Sequence, residues 1–274
     1  MRACYLIQSD SARLSNQRAP APLHCLVPRF RLLIEYNGTR YSGWQIQRNA
    51  RTVQGDLLEA VHTVTGRRDK VELYGAGRTD AGVHALGQVA HLDVATSIPP
   101  ATLLTRLNEA LPSDINVLDV RVAHHRFHAR HDAIARRYVY RVSRRRTAFE
   151  KPFVWWVRDR IAVDAMRRGA ASFVGRLDFE AFSDDDASEK STRVQVDAVD
   201  IVEEGHLILI RVTGSHFLWR MVRRMVGVLV RVGTGDLRES DIASLLRSDG
   251  SDVARLTAPA SGLFLEEVIY RDGQ

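Results

Sequence analysis

Gly75-Ala76-Gly77-Arg78-Thr79-Asp80-Ala81-Gly82-Val83-His84-Ala85-Leu86-Gly87-Gln88 is the stretch on which the fold turns. Four glycines in fourteen positions leave few side chains to pack a helix or strand, which predicts a shaped loop. Strand-like runs bound it, Val71 to Tyr74 before and Val89 to Val94 after. Arg78 and Asp80 stand two apart, so in extended backbone both point to one side. A guanidinium beside a carboxylate favours its ionised form. The plain reading is a glycine-rich turn carrying a surface ion pair. A carboxylate fixed at the end of a strand is better positioned than one on a free loop, and this favours a functional reading.

Outside the loop, Arg29 to Tyr36 alternates as a strand with Phe30, Leu32 and Ile34 on one face. Thr52 caps a helix whose stripe is Val53, Leu57, Val61 and Val64, and Gly66 ends it. Pro100 opens a helix with Leu103, Leu104, Leu107 and Leu111 inward, and Ile115 to Val122 is a strand. Together these make one β-α-β-β-α-β unit. Downstream, Ala135 to Val142 places Tyr138 and Tyr140 on one strand face and Arg137 and Arg141 on the other, with Tyr140 assigned to the core. Phe153 to Val157 continues the sheet, and Val163 to Val174 is a helix ended by Gly175. Arg193 to Val202 and His206 to Val212 form a hairpin at Glu204-Gly205. The longest helix, about Phe217 to Val232, is apolar almost all round and so buried, yet it contains Arg220, Arg223, Arg224 and Arg231. At least one of these should meet a carboxylate. A short helix at Asp241 to Leu246 and a strand at Leu263 to Tyr270 close the chain. The second half repeats the element order without repeating the sequence.

The expected fold is therefore α+β. Two similar β-α-β-β-α-β halves, RRM-like or ferredoxin-like, carry largely antiparallel mixed sheets that flank a central basic cleft. The halves are residues 29–130 and 131–274, after a flexible extension over residues 1–28. That extension lacks the apolar core of a signal peptide and reads alternatively as an upstream start not used in the cell.

The chain has 274 residues, 45% of them hydrophobic and 26% charged, enough for one large domain or two smaller ones. Its net charge of +6 favours a polyanionic partner. Only Lys70, Lys151 and Lys190 are lysines, which leaves few candidates for Schiff-base chemistry. Arg121 to Arg146 holds nine arginines against one acid, Asp132, with His124, His125, His128 and His131 among them. Neighbouring cations disfavour a metal there, and a phosphate-facing surface or a solvated basic face is expected instead. Tyr138, among those arginines, could stack on an unpaired base. Ser183 to Ser191 is acidic and reads as mobile. Cys4 and Cys25 support neither a disulfide framework nor a cysteine zinc site, and a reducing cytoplasm fits. No apolar run is long enough to span a membrane.

Four blocks give the chain, from about residue 29 to its end, a resemblance to the tRNA pseudouridine synthase A family. They are Glu35-Tyr36-Asn37-Gly38 with Ser42-Gly43-Trp44-Gln45 and Thr52-Val53-Gln54-Gly55; the glycine-rich stretch; Ala135-Arg136-Arg137-Tyr138-Val139-Tyr140; and Phe217-Leu218, Met221-Val222-Arg223, Val226-Gly227. Ala258-Pro259-Ala260 and Gly262-Leu263-Phe264-Leu265 also resemble the family's last strand. Ser183 onward departs from the family pattern, and residues 1–28 have no counterpart in it.

The resemblance implies an enzyme that detaches uracil from its ribose, rotates it and rejoins it through carbon, in the anticodon stem-loop of tRNA. No cofactor and no metal are implied. Asp80 falls on the catalytic aspartate, acting as nucleophile at the anomeric carbon or as base on a sugar proton. Arg223 falls on its arginine partner. Tyr138 would stack on the base and help remove its C5 proton, and Arg78 would fill the space of a flipped nucleotide. A homodimer with RNA held across both subunits is also implied. Two rival readings stand beside it. A non-catalytic protein of two RNA-binding modules explains the basic charge but gives no reason for Asp80, which repels phosphate. A nucleotide-binding enzyme using Gly75-Ala76-Gly77 as a phosphate turn has the wrong spacing to Gly82.

Overall fold

The computed structural model describes residues 27–185, 187–188 and 191–271. Most of the expected extension, residues 1–26 with both cysteines, lies outside the described residues. The strand read at Arg29–Tyr36 is β1, with Phe30, Leu32, Ile34 and Tyr36 buried on one face. It pairs antiparallel with β3 (His84–Asp93) on one side and β4 (Ile115–Ala123) on the other. β2 (Glu72–Gly75) lies against β3, and α1 (Val53–Thr65) and α2 (Pro100–Ala110) connect the strands. The Thr52 hydroxyl caps α1 by accepting from the Gly55 N–H, and Gly66 closes it with a left-handed backbone. The strand order of this half is β4-β1-β3-β2.

The second half is built in the same order. β5 (Ala135–Ser143), α3 (Val163–Ala170), β8 (Arg193–Glu204), β9 (Leu207–Gly214), α4 (Met221–Thr234) and β10 (Leu263–Ile269) follow one another, with the sheet order β10-β5-β9-β8. Two short strands are additions, β6 (Trp155–Trp156) alongside β5 and β7 (Gly175–Asp178) at the edge beyond β8. The two expected sheets are one: β10 runs parallel to β3, with Phe264 opposite His84, and fuses the halves into a ten-stranded sheet. That junction also corrects the reading of the glycine-rich stretch. His84 to Gln88 begins β3 rather than ending a loop. Gly87 is there because β10 passes so close that a Cβ would sit 2.7 Å from the Glu266 carbonyl oxygen.

Residues from α1, α2, α3 and α4 and from the inward face of the sheet share one buried cluster, joined by Ile242 and Val253 from two short helices, Ile242–Leu245 and Ser251–Arg255. Val139, Leu209 and Phe264 form a second, small cluster on the opposite face of the central strands. Two further boundaries differ from the sequence reading. The helix expected to reach Val174 ends at Ala170, and α4 starts at Met221, four residues later than expected, behind a turn in which Arg220 has φ of +63°.

Candidate active site

Residues 76–83 leave β2 where Gly75 pairs with Ala90 and return to β3 where His84 faces Phe264, so they emerge at the seam between the halves. Neutral bonds from buried groups hold them. The Ala76 N–H donates to the Val89 carbonyl (2.7 Å), the Gln88 amide to the Gly77 carbonyl (3.0 Å), and the Trp44 N–H to the Thr79 carbonyl (3.1 Å). The Thr79 hydroxyl shares a 2.7 Å hydrogen bond with the buried Tyr36 hydroxyl. Gly38 lies directly beneath, where any Cβ would collide with the Val83 carbonyl oxygen. The first resembling block is therefore the support of the loop. Its last turn closes through the Val83 N–H on the Asp80 carbonyl at 3.1 Å.

That support leaves the Asp80 carboxylate one-quarter exposed and directed at α4. Arg223 Nη1 lies 3.5 Å from Asp80 Oδ2, an ion pair at the outer limit of hydrogen-bond reach. Arg223 is itself fixed, its Nε donating to the Ala258 carbonyl at 2.7 Å while the Ala258 N–H donates back to the Arg223 carbonyl at 3.1 Å. Burial pushes the Asp80 pKa above the ordinary aspartate value; the Arg223 and Arg220 charges pull the other way, and Asp184 adds to the rise. Arg78 is exposed, lines the same cleft and meets no carboxylate among the described residues, so Arg223 rather than Arg78 is the cation facing Asp80.

The cleft has a volume of about 950 Å³. Its walls carry Arg78, Arg130, Arg136, Arg220 and Arg223 against Asp80 and Asp185. Tyr138 reaches it from β5, its ring set edge-on to Phe217 with centroids 5.3 Å apart. Burial, reinforced by Tyr36 and Asp80, pushes the Tyr138 phenol far above its ordinary range, so it stays a neutral hydroxyl at neutral pH. Tyr140, two residues on, is fully buried and donates to the Pro259 carbonyl at 2.7 Å.

The basic segment is not one phosphate-facing surface. Arg136 is buried, and its guanidinium donates to the carbonyls of Ala76 (3.0 Å), Arg130 (2.6 Å), Ser215 (2.8 Å) and Ala133 (3.3 Å), tying the Asp80 loop to the second half. Arg137 pairs with Glu267 and Arg144 with Glu203, each at 2.7 Å. The histidines pack on one another, His128 against His91 and His131, with Nδ1 of His91 and His128 accepting backbone N–H bonds. Among the described residues no three His, Cys, Asp or Glu side chains gather as metal ligands.

The start of the acidic segment is tied down where the sequence reads as mobile, while Asp186, Glu189 and Lys190 lie outside the described residues. Asp184 pairs with Arg220 at 2.9 Å and with the buried Arg224, and Asp185 Oδ2 accepts the Trp219 N–H at 2.9 Å. The arginines of α4 did signal that a carboxylate was needed. Nothing in a run of acids next to serines signalled which one would come.

A family model described as tRNA pseudouridine synthase matches residues 32–132 and 170–271, which include Asp80 and Arg223. The chain belongs to the tRNA pseudouridine synthase family. Tyr138 lies in the interval between the two matched segments. The tRNA pseudouridine synthase A of Rhodopseudomonas palustris strain BisA53 is 41% identical over 247 residues, 89% of this chain and all of that one. The tRNA pseudouridine synthase A of Geobacter sp. strain M21 is 40% identical over 243 residues, 88% of this chain and 98% of that one. Among solved structures, the archaeal box H/ACA sRNP Nop10-Cbf5 complex aligns at 13% identity over 79% of this chain and 47% of that one, with a TM-score of 0.34, too slight a likeness to bear on the site. Membership of the tRNA pseudouridine synthase family makes this protein an isomerase by class.

Proposed function

We propose that this protein converts uridine to pseudouridine in the anticodon stem-loop of tRNA, with Asp80 as the catalytic group. The observation that carries the reading is the partly buried Asp80 carboxylate facing Arg223 across 3.5 Å, in a cleft whose walls also carry Arg78, Arg130, Arg136 and Arg220. The reaction breaks the bond from ribose C1′ to uracil N1, forms one from C1′ to C5, releases the C5 proton and leaves a proton on N1, so atoms balance as in an isomerisation. It transfers no electrons. An ionised carboxylate at the sugar serves either first step, attack on C1′ or removal of a sugar proton. Arg223 opposes the burial that would protonate Asp80. Tyr138, a neutral phenol on the cleft wall, offers its ring to the detached base. Arg78, exposed at the rim, has the reach and charge to stand in for a flipped nucleotide, offsetting lost stacking of roughly a few kcal/mol.

The test is tRNA labelled with tritium at uracil C5. Wild-type protein should release the label, and Asp80→Asn should bind the same tRNA without releasing it. Binding should weaken steeply with salt as phosphate contacts release counterions. No label released by the wild type would overturn the reading. The homodimer rests on the resemblance, and Phe149, 94% exposed, with the half-exposed Trp156 offers apolar surface for a partner chain to cover. Its check is the mass in solution. No helix of the described residues is long and apolar enough to cross a membrane, and a tRNA substrate fits action in the cytoplasm.

A further inference from the structure

We infer that Trp219 is a stacking platform for a nucleotide next to the target uridine, forming a second base subsite at the rim of the Asp80 cleft. The inference rests on the reading of the protein as a tRNA-modifying enzyme. Trp219 is 49% exposed and lines the same cleft as Asp80 and Tyr138. A lone exposed tryptophan is unremarkable on its own; this one is fixed in place from several sides. Its backbone N–H donates to Asp185 Oδ2 at 2.9 Å and its backbone carbonyl accepts the Asp184 N–H at 3.3 Å, which fixes where the side chain leaves the turn. The Arg220 guanidinium lies 5.0 Å from the ring centroid and is tied to Asp184 at 2.9 Å. The next residue along, Arg220, keeps a left-handed backbone that non-glycine residues seldom adopt. Strain of this kind persists only where surrounding contacts enforce it, and it collects at ligand sites.

The division of labour with Tyr138 follows from exposure. Tyr138, 8% exposed, lies deep enough to meet only a base that has entered the cleft. Trp219 presents a wider face at the mouth, beside a guanidinium that suits phosphate. Every base has a π-face, so the platform should accept an unpaired neighbour of either class.

The test is single-turnover label release from a tRNA transcript over a range of enzyme concentrations. Trp219→Ala should raise the half-saturating concentration about tenfold, leaving the saturated rate within about twofold of wild type. Trp219→Phe, which keeps an aromatic face, should stay within about threefold of wild type, and Trp219→Leu should follow the alanine variant. Tryptophan fluorescence should be quenched by tRNA in wild type and in Trp156→Phe, and much less so in Trp219→Phe. Unchanged half-saturation in Trp219→Ala would overturn the inference, as would a leucine variant equal to the phenylalanine one. A fall in saturated rate alone would also overturn it, because it would make Trp219 a prop for α4. Failure of wild type to release label would instead sink the activity itself, so the two failures are distinguishable.

Discussion

Two segments bring charge to the cleft, and they are held in opposite ways. The Asp80 loop is fixed mainly by backbone bonds and neutral hydroxyls and amides, from Trp44, Tyr36 and Gln88, with the buried Arg136 guanidinium on its Ala76 carbonyl. The turn into α4 is fixed by ions: Asp184 holds Arg220 and Arg224, and Asp185 holds the Trp219 N–H. Largely neutral anchors give the carboxylate a position that depends little on ionisation elsewhere, since Arg136, the cation among them, meets only backbone carbonyls. Charged anchors let one acidic segment set the backbone of the turn and, through Arg220 and Asp184, the potential felt by Asp80. The Asp80 carboxylate thus has a rigid address, while the charges around it hang on one acidic segment.

The largest expected effect falls on the rigid side. Asp80→Asn preserves shape and loses the charge, so label release should fall by a factor of about 10⁴ with tRNA affinity kept, as for an essential reacting group. Near wild-type turnover in that variant would remove Asp80 from the chemistry. Next comes the anchor of the charged side. Asp184→Ala leaves the Arg224 side chain, 4% exposed, with no carboxylate, and should cost about 3 kcal/mol in urea unfolding. Arg220→Ala leaves the Arg224 pair intact and should cost much less. Equal losses from the two would mean that Asp184 serves the turn through Arg220 and that Arg224 contributes little.

Arg223→Ala strands the Ala258 carbonyl and the Asp80 carboxylate together. Asp80 can take up a proton, which limits the loss to about 2 kcal/mol, while turnover should fall sharply. Arg223→Lys keeps the charge without the fork and should fold and run slowly. On the neutral side, Tyr36→Phe leaves the buried Thr79 hydroxyl without its 2.7 Å partner and should cost about 1 kcal/mol. Its turnover should fall less than that of Arg223→Ala. The reverse order would show that loop position matters more than the counter-charge.

The same contrast explains what the sequence made legible. The Asp80 loop was readable because its supports leave local marks: glycines where chains touch, a capped helix, strands with a clear period. Element order in both halves followed from those periods, and α4 announced burial and a need for carboxylates. Its partner did not show, because Asp184 lies about forty positions upstream in a polar run that resembles a mobile linker. Arg136 was hidden for a related reason. Composition counted it with the phosphate-facing arginines, whereas its four carbonyl partners come from three separate segments that only the folded chain brings together. The parallel β10–β3 seam was equally silent, since strand patterns do not say which edges meet.

The smallest effect tests which influence on Asp80 wins. Burial raises its pKa in the folded state, and Arg223 and Arg220 only partly offset this. A carboxyl raised on folding adds stability that is fully present below its unfolded pKa, about 3.9. That stability is lost as pH rises through the higher folded value. Asparagine mimics the neutral acid and does not titrate, so the melting temperature of wild type relative to Asp80→Asn should fall as pH is raised through this window. The acid limb of label release should lie above the ordinary aspartate range for the same reason, and Arg220→Gln should move it further up by removing one of the two opposing charges. If wild type instead gained stability over Asp80→Asn with rising pH, the Arg223 ion pair would outweigh desolvation, and the carboxylate would be held by its partner more than it is penalised by its site.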